Sequence, residues 1–348
     1  MSATALRELD ARLHEQAATD GLSGTVLLTV DGETLLEGCY GLADRAAGVP
    51  VTPRTRFGTA SLSKMFTAVT VLDLVREGLL GTGARVVEVL PPARRPTTLH
   101  DDVTVHHLLT HTSGIADYAE EDAGTPGFVE DYGALWHDLP CYRMERPDDF
   151  LPLYGDRPPY RVPGGRFQYS NAGFVLLSAV VEQVTGRPFT EAATERALRR
   201  AGMMDSGYLR SDEVLPDVAV GYVRRADGTW RTNVFDIPVV GGGDGGALVT
   251  ARDVDRFLTA YDDGTLLGDL RDLALTRHVE VPDDAPGYSM GYGVFLYPDG
   301  RFGHGGGDPG VDVLAQRWPE QAATLVVLCN VEEPAADWRA AVLEAWSA

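Results

Sequence analysis

Gly58-Thr59-Ala60-Ser61-Leu62-Ser63-Lys64-Met65 is the stretch on which the reading of this chain turns. The protein has 30 basic side chains in 348 residues; Lys64 is the one lysine and the other 29 are arginine. Lysine is ordinarily among the commonest residues. A codon-biased chain that has exchanged the rest for arginine has kept this one. Arginine cannot lose its proton near neutral pH, whereas a desolvated lysine can, so a catalytic base is a role arginine cannot fill. Ser61 lies three residues upstream, and on a helix positions i and i+3 share one face, so the two side chains should touch. A hydroxyl beside a deprotonable amine is the least apparatus that activates a serine nucleophile. S-x-x-K by itself is common, and the rest of the chain has to decide.

Beyond Leu62, apolar residues recur at three- and four-residue steps through Met65, Phe66, Val69, Leu72, Val75 and Leu79. That spacing predicts a buried helix ending near Gly78 or Gly81. Ser61 then sits at the helix N-terminus, where free N–H groups and the helix dipole favour a developing alkoxide. Upstream, residues 4–19 have helical apolar spacing. Gly24–Val30 and Glu33–Tyr40 read as strands joined by the hairpin signal Asp31-Gly32. Downstream, residues 82–225 are mostly helical segments broken by Gly and Pro. One helix begins over Val103–Leu109, and Ala172–Thr185 forms another, stopped by Gly186 and Pro188. Residues 117–165 are loop-rich and aromatic and carry no readable code. In the last third, Thr250 caps a helix. Three strand-like runs follow at Met290–Tyr297, Val311–Trp318 and Thr324–Asn330, with turns at Asp299-Gly300 and Pro319-Glu320, and a final helix covers 335–347.

Strands early and late with helices between them predict an α+β fold: one antiparallel sheet built from both chain ends, flanked by helices and holding an inserted, mostly helical lobe. The expected lobes are residues 1–60 with 226–348, and residues 61–225, with the active site between them.

The net charge of −21 argues against nucleic-acid binding, which requires a basic face. It suits cationic substrates, although a uniformly acidic surface chiefly serves solubility. Cys39, Cys141 and Cys329 are odd in number and far apart, with neither metal-ligand spacing nor a disulfide framework. The N-terminus lacks a basic start followed by an apolar core, and no apolar run approaches the roughly 18 residues a membrane span needs. The expectation is a cytoplasmic, enzyme-sized protein with no membrane partner; its oligomeric state is not legible.

Two further stretches complete a pattern. Tyr169-Ser170-Asn171 follows the turn Pro163-Gly164-Gly165 and opens a helix, and Arg301-Phe302-Gly303-His304-Gly305-Gly306-Gly307 lies between two strand signals. With these the chain resembles the serine β-lactamase-like group: class C β-lactamases, DD-peptidases, D-aminopeptidases and family VIII esterases. The group's S-x-x-K, Y-x-N and K/H-x-G motifs are matched in order by Ser61–Lys64, Tyr169–Asn171 and His304–Gly306. Leu108–Gly114 (Leu-Leu-Thr-His-Thr-Ser-Gly) and the glycine-rich lead-in Gly245–Asp253 match as well, so the resemblance runs from about 20 to 330.

The resemblance implies a β-lactamase/transpeptidase-like fold and acyl transfer through a covalent acyl-enzyme on Ser61. Lys64 and Tyr169 share the general-base task, and which of them takes the proton stays open. Asn171 and His304 orient substrate, and the backbone N–H groups of Ser61 and Gly307 form the oxyanion hole. It implies no metal and no cofactor, and a small-molecule acyl substrate as the partner. His304 stands where β-lactamases of this kind carry lysine, which speaks against β-lactam hydrolysis. The first expectation is therefore a hydrolase of small esters, amides or D-amino-acid derivatives. The alternatives are an acyltransferase passing the acyl group to an amine or alcohol, and a catalytically silent binder on the same fold.

Three other patterns are decoys. Gly287-Tyr288-Ser289-Met290-Gly291 matches G-x-S-x-G, but a strand-like run follows where that motif needs a helix. Gly241, Gly243 and Gly246 match a dinucleotide fingerprint without the surrounding strand–helix repeat, and read as a flexible loop. His107 and His111 have i, i+4 spacing but lack the glutamate of a zinc-protease motif, and read as core residues.

Overall fold

The computed structural model describes residues 3–282, 287–332 and 334–347. Its centre is an antiparallel sheet that draws on both ends of the chain. We label its strands β1 (Gly24–Val30), β2 (Glu33–Tyr40), β3 (Val279–Glu280), β4 (Ser289–Met290), β5 (Phe295–Leu296), β6 (Phe302–Asp308), β7 (Val311–Trp318) and β8 (Ala323–Cys329). Among the described residues their order across the sheet is β2-β1-β8-β7-β6-β5-β4-β3. The β1–β2 hairpin turns through Asp31 and Gly32, with φ of 51° and 78°. Positive φ at both central residues is what a tight right-twisted hairpin requires.

β8 is buried along its whole length, and its side chains alternate between two cores as the two-residue period of a strand demands. Leu325, Val327 and Cys329 join Val26 and Leu28 on one face, under the helices α1 (Ala3–Asp20) and α5 (Pro334–Ser347). Trp338 of α5 packs edge-on against Tyr40 at 5.4 Å there. Val326 and Leu328 join Leu27, Val313 and Phe302 on the other face, in the larger core shared with α2 (Ser63–Arg76), α3 (Asn171–Thr185) and α4 (Ala251–Asp262).

The helix α2 is buried on every side from Ser63 to Leu74, which is why its sequence reads as a nearly continuous apolar run. Phe66 meets Phe257 of α4 edge-to-face at 4.7 Å. A Phe-to-Ala change in such a core costs about 3–5 kcal/mol. The helix stops at Arg76, with Gly78 at φ 73° just beyond it.

Two expectations change. Met290–Tyr297 is not one strand but a tight hairpin, β4 and β5, in which the Gly291 N–H donates to Val294 O at 2.8 Å. The cause is Gly293, whose φ is 65° and where a Cβ would sit 2.9 Å from Lys64 O and 2.7 Å from Ala68 Cβ. The chain there folds back to let α2 pass. Arg301–Gly307, expected between strands, lies largely within one, because β6 starts at Phe302. No helix among the described residues is long and apolar enough to cross a membrane.

Candidate active site

Ser61 lies on a 3-10 turn, Ala60–Leu62, that runs directly into α2. It therefore precedes the helix by one turn instead of beginning it. Ala60 adopts φ 42°, a left-handed conformation that residues carrying a Cβ enter only when their surroundings compel them. The segment around 246 compels it. The Thr59 N–H donates to Ala247 O at 3.0 Å, the Ala247 N–H to Ser63 Oγ at 3.1 Å and the Gly246 N–H to Ala60 O at 3.3 Å.

Lys64 is fully buried, and its Nζ has three partners: Ser61 Oγ at 2.9 Å, Asn171 Oδ1 at 2.7 Å and the Asp244 carbonyl at 2.7 Å. The Asn171 amide is oriented by its own contacts. Its Nδ2 donates to Glu121 Oε1 at 3.1 Å and to Ala119 O at 3.4 Å, both acceptors, so Oδ1 faces Lys64. Two of the three lysine partners thus only accept, and the third is a hydroxyl that does either. An ammonium satisfies all three by donating to each, and a neutral amine does so by donating to Asn171 and Asp244 while its lone pair receives the Ser61 proton. Burial lowers the Lys64 pKa from the ordinary lysine value, and the nearby Asp244, Glu121, Asp117 and Asp308 offset only part of this.

Tyr169 lies beside this pair, with Lys64 Nζ 4.9 Å from its ring centre. Burial pushes the phenol well above its ordinary value and Glu121 adds to the rise, against a hydrogen bond with Ser61 that lowers it. Desolvation is the largest cause of this rise, and the neighbouring lysine does not offset it. Burial thus disfavours the charged form of each, the phenolate of Tyr169 and the ammonium of Lys64. Immediately after Tyr169, Ser170 caps α3 by accepting from the Gly173 N–H at 3.0 Å. Buried Asp117 accepts from the N–H groups of Asn171 at 2.5 Å and Ala172 at 3.1 Å. Burial raises the Asp117 carboxyl to about 7, although these bonds pull it down.

The β6 strand pairs with β5 only at Phe302 and Gly303, and its next residues pass the Ser61 turn. A Cβ on Gly306 would meet Thr59 O at 2.6 Å and Ser61 N at 2.7 Å, whereas Gly307 has open space. Glycine at 306 is what lets the strand edge approach the nucleophile turn. His304 is buried, its Nδ1 lies 2.5 Å from Gly305 O and its Nε2 has no hydrogen-bond partner among the described residues. Burial, then Lys64, lowers its pKa to about 3, so the ring is neutral.

Ser61, Asn171 and Gly307 line one cleft of about 710 Å³. Part of its wall comes from the 117–165 excursion, through Tyr118, Glu121, Glu130, Asp131, Tyr132 and Phe150. Among its charged lining residues carboxylates far outnumber basic groups, and its one basic side chain among the described residues, Arg231, is paired with Asp236. Asp308, the last residue of β6, lines it too. Burial, then Asp244, raises its carboxyl to about 7.

Sequence reasoning missed Asp244, Asp117, Glu121 and Asp308. Asp244 had a signal: a lone carboxylate inside Gly241–Gly246, a run read as a loose loop that instead carries the carbonyl for Lys64 and a carboxylate accepting from Tyr118. Asp117 and Glu121 sit in irregular chain and Asp308 at the end of β6, with no pattern to mark them. Among the decoys, Ser289 is buried in β4 and bonded to Arg277 at 3.1 Å, not raised on a nucleophile turn. His107 belongs to the capping box of the short helix Val105–Leu109.

Comparison with known proteins agrees with this fold. The Beta-lactamase family model matches residues 7–348. Esterase EstB of Burkholderia gladioli is 32% identical over 320 residues, covering 84% of this chain and 80% of that protein. The crystal structure of a penicillin binding protein from Bacillus halodurans superposes with a TM-score of 0.88 at 38% identity, covering 95% of this chain and 99% of that one. A D-stereospecific amidohydrolase from Streptomyces sp. gives 0.78 at 27% identity, with 97% of both chains covered. The fold is thus β-lactamase-like, and the chain belongs to the Beta-lactamase family as an enzyme of the serine-hydrolase type.

Proposed function

We propose that the protein hydrolyses small esters, amides or D-amino-acid derivatives through an acyl-enzyme on Ser61. In this reading Ser61 Oγ attacks the substrate carbonyl as its proton passes to the neutral Lys64 amine. The oxyanion forms against the backbone N–H groups of Ser61 and Gly307, each such donor being worth about 3–4 kcal/mol. Tyr169, kept protonated, delivers a proton to the leaving oxygen or nitrogen and is recharged from the Lys64 ammonium. Water then attacks the ester as Lys64 again takes the proton, which passes from Lys64 to Ser61 Oγ as the acid is released. Asn171 and Asp244 hold the amine in place, and His304 supports the strand edge as a neutral ring.

The observation that carries this reading is the Lys64 amine, held between two acceptor-only partners with the Ser61 hydroxyl at 2.9 Å. An esterase and a D-stereospecific amidohydrolase among the relatives support the substrate class. So does the lining. A cleft rich in carboxylates and without an unpaired basic side chain among its described residues favours neutral or amine-bearing acyl donors and disfavours donors with a carboxylate.

The test is a panel of a p-nitrophenyl ester, a D-aminoacyl amide and a β-lactam, run with and without an added amine. The expected result is turnover of the ester and the D-aminoacyl amide to free acid, with the β-lactam spared. Amide product rising with the amine while free acid falls would assign acyl transfer instead. No turnover of any substrate would leave a binding protein.

A further inference from the structure

His111 has no part in the steps above, yet three separate contacts tie it to Tyr169. Its ring stacks on the Tyr169 ring with centres 4.4 Å apart and planes 22° from parallel. Its Nδ1 accepts the Ser170 N–H at 3.0 Å, and its carbonyl accepts the Gln168 N–H at 2.8 Å. The residues on either side of Tyr169 are thus pinned to the same residue that faces its ring.

The local chain is built to present His111 this way. Leu108–Gly114 forms a rail onto which residues 160–168 hang. Tyr160 N–H donates to Gly114 O at 2.8 Å, and Gly164 N–H to Thr112 O at 2.9 Å. His111 itself adopts φ 55°, a left-handed conformation in which His is among the more tolerated residues with a Cβ. Its ring is 1% exposed and its Nε2 has no hydrogen-bond partner among the described residues. With Nδ1 accepting from Ser170, the neutral ring carries its proton on Nε2. A buried N–H without a partner is disfavoured, so a requirement other than hydrogen bonding keeps the imidazole here.

We propose that His111 is a positioning residue for Tyr169, its ring face setting the plane of the phenol and its Nδ1 and carbonyl fixing the backbone before and after it. The proposal rests on the reading of Tyr169 as the proton donor.

Two variants separate the contacts. His111→Asn keeps an acceptor near the Nδ1 position and tolerates positive φ but removes the stacked ring; His111→Phe keeps a ring and removes the acceptor. Each should lower kcat on a p-nitrophenyl ester about 10- to 100-fold, since misplacing a reacting group by about 1 Å costs that much. KM should stay within about 3-fold and the alkaline limb of the pH profile should move. In a Tyr169→Phe background the same substitutions should cost nothing further, because contacting residues couple. Full activity in either single variant, or a loss that adds undiminished to that of Tyr169→Phe, would overturn the proposal. An active Tyr169→Phe enzyme would instead sink the role given to Tyr169. Should neither His111 variant fold, histidine 15N spectra of the unaltered protein decide. His111 must keep Nδ1 unprotonated and Nε2 protonated from about pH 5 to 8, and a charged or Nδ1-protonated ring overturns the proposal.

Discussion

Asn171→Asp is the substitution that most sharply separates a neutral Lys64 from a charged one. The two side chains are nearly the same shape, so packing changes little, but a carboxylate oxygen replaces Oδ1 at 2.7 Å from the amine. At an effective dielectric of about 20, opposite charges at that distance attract by about 6 kcal/mol. Against this stand the new carboxylate's desolvation and its repulsion from Glu121, which the amide now contacts at 3.1 Å. If a little under half survives, Lys64 rises by about two pKa units and its neutral fraction at neutral pH falls by up to about 100-fold, less the more neutral the parent amine is at that pH. The assay is kcat/KM on a p-nitrophenyl ester as a function of pH. The variant should lose about that factor at pH ~7 and regain much of it as pH rises, with its basic limb displaced to alkaline pH. An unchanged profile would refute the claim that Lys64 works as a neutral base. So would a loss of activity of the same size at every pH.

Lys64→Arg keeps the charge but cannot release a proton, and nearly all turnover should vanish while circular dichroism stays native. Gly306→Ala pushes a methyl against Thr59 O and Ser61 N and should cost about 100-fold in kcat; Gly307→Ala, with open space at its Cβ, should fold and melt like the parent. Asp308 binds a proton in the folded protein up to about pH 7 but in the unfolded chain only below about 4. Its contribution to stability is therefore present at acid pH and lost as pH rises through about 7. Asp308→Asn should raise Tm more at pH ~8 than at pH ~5, and an equal shift at both would show that the carboxyl titrates normally.

The parts of this molecule that were legible in the sequence are those with a short-range physical code. The β1–β2 hairpin and β7 were readable because alternation and turn residues act locally. α2 and α3 were readable because long apolar runs ending in Gly78 and Gly186 have few other solutions. Ser61 and Lys64 came from spacing and from a single lysine among arginines. What was not legible depends on distant chain. Met290–Tyr297 has the composition of one strand, and only the passage of α2 beneath Gly293 makes it a hairpin. Ala60 gave no sign of its left-handed φ, which the 246–247 segment imposes. The Asp117, Glu121 and Asp308 carboxylates meet around Lys64 from loops and a strand end far apart in the chain, and no local pattern records that meeting. The burial that raises the Tyr169 phenol is likewise absent from the motif, which shows a lysine nearby but not the depth at which the ring sits.

The most direct test of the central claim is intact-mass analysis of the protein after a fluorophosphonate probe, followed by mapping of the modified peptide. The account predicts one adduct, on Ser61, that is lost in Ser61→Ala and much slowed in Lys64→Arg. Labelling of another serine, or an unlabelled protein with a native circular dichroism spectrum, would contradict it.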